Sequence, residues 1–150
     1  MVMEYSPAIP LLRPHIDLDN QGFWEAVKQH KLVFQKCKSC GLLVHRPRPM
    51  CPRCNSMEKE WAPSSGKGTI YSWVNFVYAN AAYPGIKVPY LVVVVEMEEG
   101  VRIISNMHGV KREDIYIGMP VEVVFDDVTE EITLPKLKPV LETTGRERGL

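Results

Sequence analysis

The sequence predicts a mainly β protein with one N-terminal helix, in which a zinc ribbon precedes a five-stranded barrel. Two observations carry this prediction. Four cysteines form two Cys-x-x-Cys pairs within residues 37–54, which is typical of a metal ribbon. From residue 69 onward, runs of β-branched and aromatic residues alternate with turn signals, which is typical of an antiparallel sheet.

The first 31 residues are predicted to form an extended arm and then a helix. Prolines keep residues 1–14 out of helical conformation, and the apolar side chains between them need a cover. We therefore expect this arm to be buried against a partner subunit, through Ile9, Leu11 and Leu12. Asp19 or Asn20 is a suitable cap for the helix that follows. The packing face of that helix is predicted to comprise Phe23, Trp24 and Val27.

Residues 32–63 are predicted to form the ribbon, with a strand over residues 32–35 leading to the first cysteine pair. Gly41 and Asn55 follow the two pairs, and both residue types tolerate a left-handed backbone that points amides at thiolates. Four thiolates close a tetrahedral shell, so we expect a structural Zn²⁺ without chemistry of its own. The predicted ligands are Cys37, Cys40, Cys51 and Cys54. His45, between the pairs, is expected to be exposed.

Two other interpretations of the cysteines are less consistent with the sequence. Disulfides need an oxidising compartment, and the first residues lack the apolar core of a signal peptide. A thioredoxin-like site would need alternating strands and helices, and this pattern is missing. No apolar run approaches the ~20 residues of a membrane helix. We therefore expect a cytoplasmic protein without a membrane partner.

Residues 64–140 are predicted to form the barrel. Strands are expected over residues 69–78, 90–97, 101–107, 120–126 and 132–137, with a tight hairpin at 98–100 and a short helical turn at 111–115. In the first strand, Ile70, Val74 and Phe76 are predicted to share one face, and Tyr71 and Trp73 the other. Five strands in this arrangement indicate a Greek-key barrel of OB type. Residues 141–150 are expected to be a polar tail.

The chain has zero net charge, but the charge is uneven. Residues 28–67 carry nine Lys and Arg against two Glu, so the predicted ribbon is a basic patch on an acidic body. Such a patch suits a phosphate-bearing ligand, a nucleic acid or an acidic partner, although a solvated face explains it equally well. The zero net charge argues against a dedicated nucleic-acid binder.

Seven stretches in this order resemble a known family, the zinc-ribbon plus OB-fold proteins catalogued as domain of unknown function 35. The resemblance covers roughly residues 20–140, and its zinc ribbon is of rubredoxin-like type. Val74 departs from the threonine that is common in the family at this position. The matching stretches are F-W-E-A, L-V-F-Q-K-C-K-S-C-G, R-P-R-P-M-C-P-R-C, G-K-G-T-I-Y-S-W, V-P-Y-L-V-V-V-V-E, I-G-M-P-V-E-V-V-F and L-P-K-L-K-P.

The resemblance implies an accessory subunit, in a hetero-oligomer with a thiolase-like catalytic subunit. Family members look like partners of thiolases, thiolase-like aldolases, acyl-CoA hydratases and hydroxymethylglutaryl-CoA synthases, where they shape the acyl-CoA site or bridge enzymes. A nucleic-acid-binding module is the alternative, because OB barrels and zinc ribbons also serve that purpose. Its stacking residues would be Tyr71, Trp73, Tyr78 and Tyr90.

We expect no enzymatic activity of the chain alone. Zinc takes every cysteine, and the four histidines, His15, His30, His45 and His108, lie in unrelated segments. A thiolase nucleophile must therefore come from another chain.

A coenzyme A thioester is the predicted ligand of the complex. Its phosphates need cations at a rim, and its pantetheine arm needs a narrow slot. The slot candidates are Tyr78, Asn80, Tyr83 and Tyr90. The rim candidates are Lys87, Arg46 and Arg48, with an amide contact from Asn106. Alternatively, the loop around residues 78–90 only docks on the partner.

Overall fold

A computed structural model of the chain describes residues 13–78 and 87–140. It consists mostly of strands with one helix, as predicted. The expectations for Ile9, Leu11 and Leu12 and for the polar tail lie outside the described residues. The described part contains no helix that is long and apolar enough to cross a bilayer. The elements are α1 (Gln21–Lys28), β1 (Val33–Cys37), β2 (Leu43–Val44), β3 (Lys59–Pro63), β4 (Lys67–Phe76), β5 (Tyr90–Met97), β6 (Arg102–Met107), β7 (Pro120–Asp127) and β8 (Thr133–Pro139).

Helix α1 is amphipathic and buries Phe23 and Val27. Asn20 occupies its cap position, but the Asn20 side chain does not bond the helix amides. Instead, Asn20 Oδ1 accepts the backbone N–H of Asp17, and Asp17 Oδ1 accepts the backbone N–H groups of Asp19 and Asn20, each at 2.9 Å. The expected side-chain cap is therefore wrong, because these groups close a polar turn before the helix begins.

The ribbon is a three-stranded antiparallel sheet in the order β2-β1-β3. Strand β1 is central, and its residues Val33 and Cys37 pair with Pro63 and Lys59 of β3. The sequence pattern predicts no strand over residues Lys59–Pro63. They form a strand because β3 is an edge strand of this sheet, where a proline costs no ladder hydrogen bond.

The barrel is closed in the order β4-β5-β6-β8-β7, which confirms the OB-type prediction. Strand β4 closes it by pairing with both β5 and β7, and β6 meets β8 in parallel at Met107 and Leu137. The predicted helical turn between β6 and β7 is a single hydrogen-bonded turn, in which the Asp114 N–H donates to Lys111 O at 3.0 Å.

Tyr71 forms a β-bulge in β4, because the pairing of β4 with β5 skips this residue. One extra residue moves every later side chain to the opposite face of the sheet. Val74 and Phe76 are therefore 47% and 42% exposed, whereas Ile70 is buried. Trp73 packs against the core instead. The predicted grouping of Ile70 with Val74 and Phe76 is wrong for this reason.

Beyond the bulge, β4, β5 and β6 present an apolar surface outside the barrel. Its side chains are aligned across the strands, with Phe76 opposite Tyr90, Val74 opposite Val92 and Val94 opposite Ile104. We call these six residues the outer sheet face.

One hydrophobic core joins the helix, the ribbon and the barrel. It contains Val27 of α1, Phe34 of β1, and Val93, Val121 and Leu137 of the barrel, all almost fully buried. Because the helix, the ribbon and the barrel share this core, the core holds the loops that connect their strands in fixed positions relative to one another.

Replacing Gly68 by alanine is expected to destabilise the protein by about 1–2 kcal/mol. A Cβ atom at Gly68 would lie 2.5 Å from the carbonyl oxygen of Glu96 and 2.7 Å from Cγ1 of Val95, at the point where the barrel closes. Urea unfolding measures the change, and Lys67→Ala, an exposed neighbour in β4, should stay within about 0.5 kcal/mol. An unchanged unfolding midpoint for Gly68→Ala would contradict this packing.

Candidate metal centre and ligand cavities

The four cysteines lie on two turns of the same construction. In each turn the amide N–H of the residue after the second cysteine donates to the carbonyl of the first cysteine. These bonds run from Gly41 to Cys37 at 2.9 Å and from Asn55 to Cys51 at 3.0 Å. Gly41 and Asn55 have φ of 75° and 61°, which confirms the predicted left-handed backbone.

The four sulfurs fit one tetrahedral zinc ion. Cys37 Sγ lies 3.6 Å from Cys54 Sγ, Cys40 Sγ lies 3.6 Å from Cys51 Sγ, and all four atoms lie within 4.8 Å of one another. A zinc ion with Zn–S bonds of about 2.3 Å separates its sulfurs by about 3.8 Å. Disulfide bonds need about 2.05 Å, so this geometry supports structural zinc and not a pair of disulfides.

Backbone amides favour thiolates in this cluster. The amide of Cys40 donates to the Cys37 sulfur and lowers the pKa of Cys37 to about 6. The amide of Cys54 is the main cause that lowers the pKa of Cys51. The amide of Ser56 acts on Cys54 in the same sense, but burial and the neighbouring thiols outweigh it and raise the pKa of Cys54 to about 12. A bound cation would hold all four as thiolates, and its closed shell would contribute stability only.

His45 is not the exposed residue that the sequence predicts. Its ring packs against Phe23 at 5.3 Å and Phe34 at 5.8 Å, and its Nδ1 is buried without a hydrogen-bond partner in the described part of the chain. Burial lowers the pKa of His45 to about 4, so the imidazole is neutral at neutral pH. The segment after β2 folds back onto the helix because the buried Gln35 side chain bonds both backbone groups of Arg48, at 2.7 and 2.9 Å.

A cavity of about 510 Å³ opens between the ends of β4 and β5 and the connection from β6 to β7. Three cations line this loop cavity, Lys87, Lys111 and Arg112, with Glu113 beside them. A rim of cations over an apolar floor suits a phosphate-bearing ligand that has an apolar arm. The floor is formed by Val77, Pro89, Leu91, Met107 and Val110.

A second cavity of about 530 Å³ lies between α1, the ribbon and the barrel. This junction cleft is lined by His45, Arg46 and Lys136, together with the rings of Phe23 and Trp24. The Lys136 side chain is almost fully buried and pairs with the carboxylate of Asp126. Asn106 lines both cavities, so the junction cleft adjoins the loop cavity at this residue.

The structure brings together only part of the predicted ligand set. Three predicted residues line the loop cavity: Lys87, Tyr90 and Asn106. Arg46 lines the junction cleft, whereas Arg48 and Tyr78 are exposed and line neither cavity. Asn80 and Tyr83 lie outside the described residues. The sequence prediction missed Lys111 and Arg112, although two adjacent cations in a connection bounded by Gly109 were a visible signal.

Two family models match the chain, and both describe ChsH2. The rubredoxin-like zinc ribbon domain matches residues 24–59, and the C-terminal OB-fold domain matches residues 61–126. The first stretch covers most of α1 and most of the ribbon, and the second covers the barrel as far as β7.

Several curated proteins are similar to this chain in sequence. A probable enoyl-CoA hydratase alpha subunit of Thermomonospora curvata is 37% identical over 92% of this chain and 43% of its own length. A DUF35 domain-containing scaffold protein of Methanocaldococcus jannaschii is 36% identical over 72% of this chain and 77% of its own. The benzoylsuccinyl-CoA thiolase subunit BbsA of Geobacter metallireducens is 31% identical, with 64% and 65% covered. The chain thus spans less than half the length of the hydratase subunit.

A solved structure described as an Ltp2-ChsH2(DUF35) aldolase superposes with a TM-score of 0.79. The two sequences are 38% identical, and the match covers 85% of this chain and 98% of the other. With both ChsH2 domain models matched in turn and a DUF35 scaffold protein 36% identical over 72% of the chain, the chain belongs to the DUF35 family that includes ChsH2.

Proposed function

We propose that the chain is a non-catalytic subunit of a thiolase-type acyl-CoA enzyme, in a hetero-oligomer whose other subunit carries out the reaction. In this proposal the loop cavity receives the phosphate-bearing part of a coenzyme A thioester. The observation that carries it is the convergence of Lys87, Lys111 and Arg112 over an apolar floor. Relatives named as a subunit of a CoA thiolase and as part of an aldolase complex support the same class of enzyme.

The chemistry of the loop cavity matches the two ends of coenzyme A. The guanidinium of Arg112 is suited to bidentate contact with a phosphate, and the two lysines add point charges. Asn106 carries an amide that can both donate to and accept from the amides of pantetheine. Asn106 also lines the junction cleft. The remainder of the ligand would therefore extend from the loop cavity into that cleft, beside Arg46.

The residues of the chain itself argue for a non-catalytic role. All four cysteines point into one metal site, so none is available as a thiolate nucleophile. The ring of His45 is neutral and packed between phenylalanines. His30 bonds Asp127 at 2.9 Å and stacks on Phe125, away from both cavities. The reacting groups are therefore assigned to the partner subunit.

The nucleic-acid alternative is disfavoured by the outer sheet face, which is the strand surface on which OB folds bind nucleic acids. Aliphatic side chains dominate this face. At its edge, Arg102 bonds Glu96 at 3.1 Å and lies 3.7 Å from the ring of Tyr71, so this cation is neutralised. Phe76 and Tyr90 stack on each other at 5.0 Å, which leaves less ring surface for bases.

Replacing Lys111 and Arg112 together by alanine is expected to raise the KM for acyl-CoA in the assembled enzyme about tenfold or more. Each lost phosphate contact at this exposed rim should weaken binding by about 1–2 kcal/mol. Lys87→Ala should act in the same direction, while kcat changes less than about twofold. Arg46→Ala tests whether the ligand extends into the junction cleft, and Arg48→Ala, at a residue that lines neither cavity, should leave the KM unchanged.

Lys138→Ala is the matched control, because this lysine pairs with Glu122 and lines neither cavity. Unchanged KM values in complexes that assemble normally would show that the partner alone holds coenzyme A and that this chain is a scaffold. The mass and ultraviolet absorbance of the native complex test the class itself. A thiolase-sized partner in the complex would support the proposal. Bound nucleic acid would contradict it and favour the nucleic-acid-binding alternative.

A further inference from the structure

The outer sheet face is an apolar surface without a cover in the described chain. Ile104 of β6 is 63% exposed, and Val74 and Phe76 are exposed on β4, on the other side of β5. Val77 and Tyr78, which follow β4 in the chain, are exposed as well. The two charged residues at its edge, Arg102 and Glu96, form an ion pair, so the edge carries no net charge.

The size of this surface indicates an interface. Aromatic side chains present roughly 150–250 Å² each, so the exposed parts of Phe76 and of Tyr71 at the edge of the face amount to roughly 140–230 Å². The exposed parts of Val74 and Ile104 bring the patch to on the order of 300–400 Å², within the range of about 300–600 Å² for the largest patch of a monomer, which is often functional. A standard interface buries about 800 Å² on each partner, so this patch is large enough to be its core.

We propose that the outer sheet face is the docking surface for the catalytic subunit. This inference rests on the proposed function and specifies where the partner sits. Tyr90 belongs to the outer sheet face and also lines the loop cavity, and Asn106 stands beside Val92 at the same border. A subunit docked on the outer sheet face therefore reaches the mouth of the loop cavity, where a bound thioester would project.

The same observations define the chemistry of the partner. The complementary patch on the partner must be apolar and uncharged. The outer sheet face offers it aliphatic side chains, and the Arg102–Glu96 ion pair at the edge leaves no net charge to be matched. A second copy of this chain would supply an apolar patch as well, but it has no spare cysteine to act on a thioester. The arrangement thus fits a catalytic subunit that brings its own nucleophile.

The test uses the full chain carrying an affinity tag, produced in the organism that encodes it. Ile104→Glu and Val74→Glu place a charge on the outer sheet face, and Ile117→Glu is the matched control, because Ile117 is an isoleucine with 61% exposure outside this face. Co-purified polypeptides are identified by mass spectrometry, and the dissociation constant is then measured by ultracentrifugation with the purified partner. We expect a thiolase-like polypeptide with the unchanged chain and with Ile117→Glu, and binding at least roughly 30-fold weaker with either outer-face variant.

Three results would each overturn the inference in a different way. A thiolase-like polypeptide retained at full affinity by both outer-face variants would place the docking surface elsewhere and leave the proposed function intact. No thiolase-like polypeptide with the unchanged chain would remove the proposed function itself, and a homodimer abolished by Ile104→Glu would assign the face to self-association. Zinc content and thermal unfolding check that each variant folds, and Ile104→Gln replaces any glutamate variant that does not.

Discussion

Replacing Cys40 by serine is expected to abolish stoichiometric zinc binding and to unfold the ribbon. A serine hydroxyl does not supply the soft thiolate that the tetrahedral site uses. Structural zinc contributes about 10–16 kcal/mol of apparent binding free energy in zinc-finger peptides, which is as large as the whole stability of an ordinary domain. Because Phe34 and Val27 belong to the same core as the barrel, loss of the ribbon should also lower the melting temperature by more than about 10 °C.

Elemental analysis and calorimetry measure the two effects together. Lys38→Ala, an exposed residue within the same turn, is the control and should retain one zinc per chain. Chelation of the unchanged protein should reproduce the instability of Cys40→Ser, since both remove the cation that holds the thiolates. Native protein that contains no metal and carries disulfides or free thiols would contradict the zinc site.

Local sequence patterns were sufficient to predict those parts of the fold that depend on neighbouring residues. The cysteine spacing, with Gly41 and Asn55 behind it, determines both turns of the ribbon, because each turn closes its own hydrogen bonds. The strand over residues 90–97 is predicted with its observed bounds, because an unbroken run of β-branched residues favours no other element of that length.

The errors arise where long-range contacts decide the structure. The bulge at Tyr71 comes from the pairing of β4 with β5, and a single skipped residue turns Val74 from a predicted partner of Ile70 into part of a surface. The His45 ring is packed against Phe23 and Phe34, and Gln35, ten residues earlier, holds the chain nearby at Arg48. Neither contact leaves a periodic signal in the sequence.

The candidate ligand site was predictable only in part, for the same reason. Lys87 and Tyr90 are close along the chain, and a single loop was enough to propose them. Lys111 and Arg112 meet them because β6 pairs antiparallel with β5, which brings the connection after β6 beside the start of β5. A site assembled from separate connections requires the topology before its members can be recognised.

Acidification is expected to destabilise the protein through His45. The folded pKa of His45 is about 4, whereas the ordinary value is about 6.5, so the unfolded chain takes up a proton at a pH where the folded chain does not. The stability that follows from this difference in pKa is fully present above about pH 6.5 and is lost as the pH falls toward 4. The two pKa values correspond to about 3 kcal/mol, most of which should be lost between pH 7.5 and 4.5.

His45→Phe isolates this effect, because phenylalanine keeps an aromatic ring between Phe23 and Phe34 but cannot take up a proton. Urea unfolding of both proteins at pH 7.5 and 4.5, with zinc in excess, should show a fall in stability that is roughly 2–3 kcal/mol smaller for the variant. The zinc thiolates and Asp127, whose pKa is lowered by hydrogen bonds from Thr133 and His30, are present in both proteins and cancel in the comparison. An equal fall in both would mean that the His45 ring is accessible to protons in the folded state and that the packing against the two phenylalanines does not exclude charge.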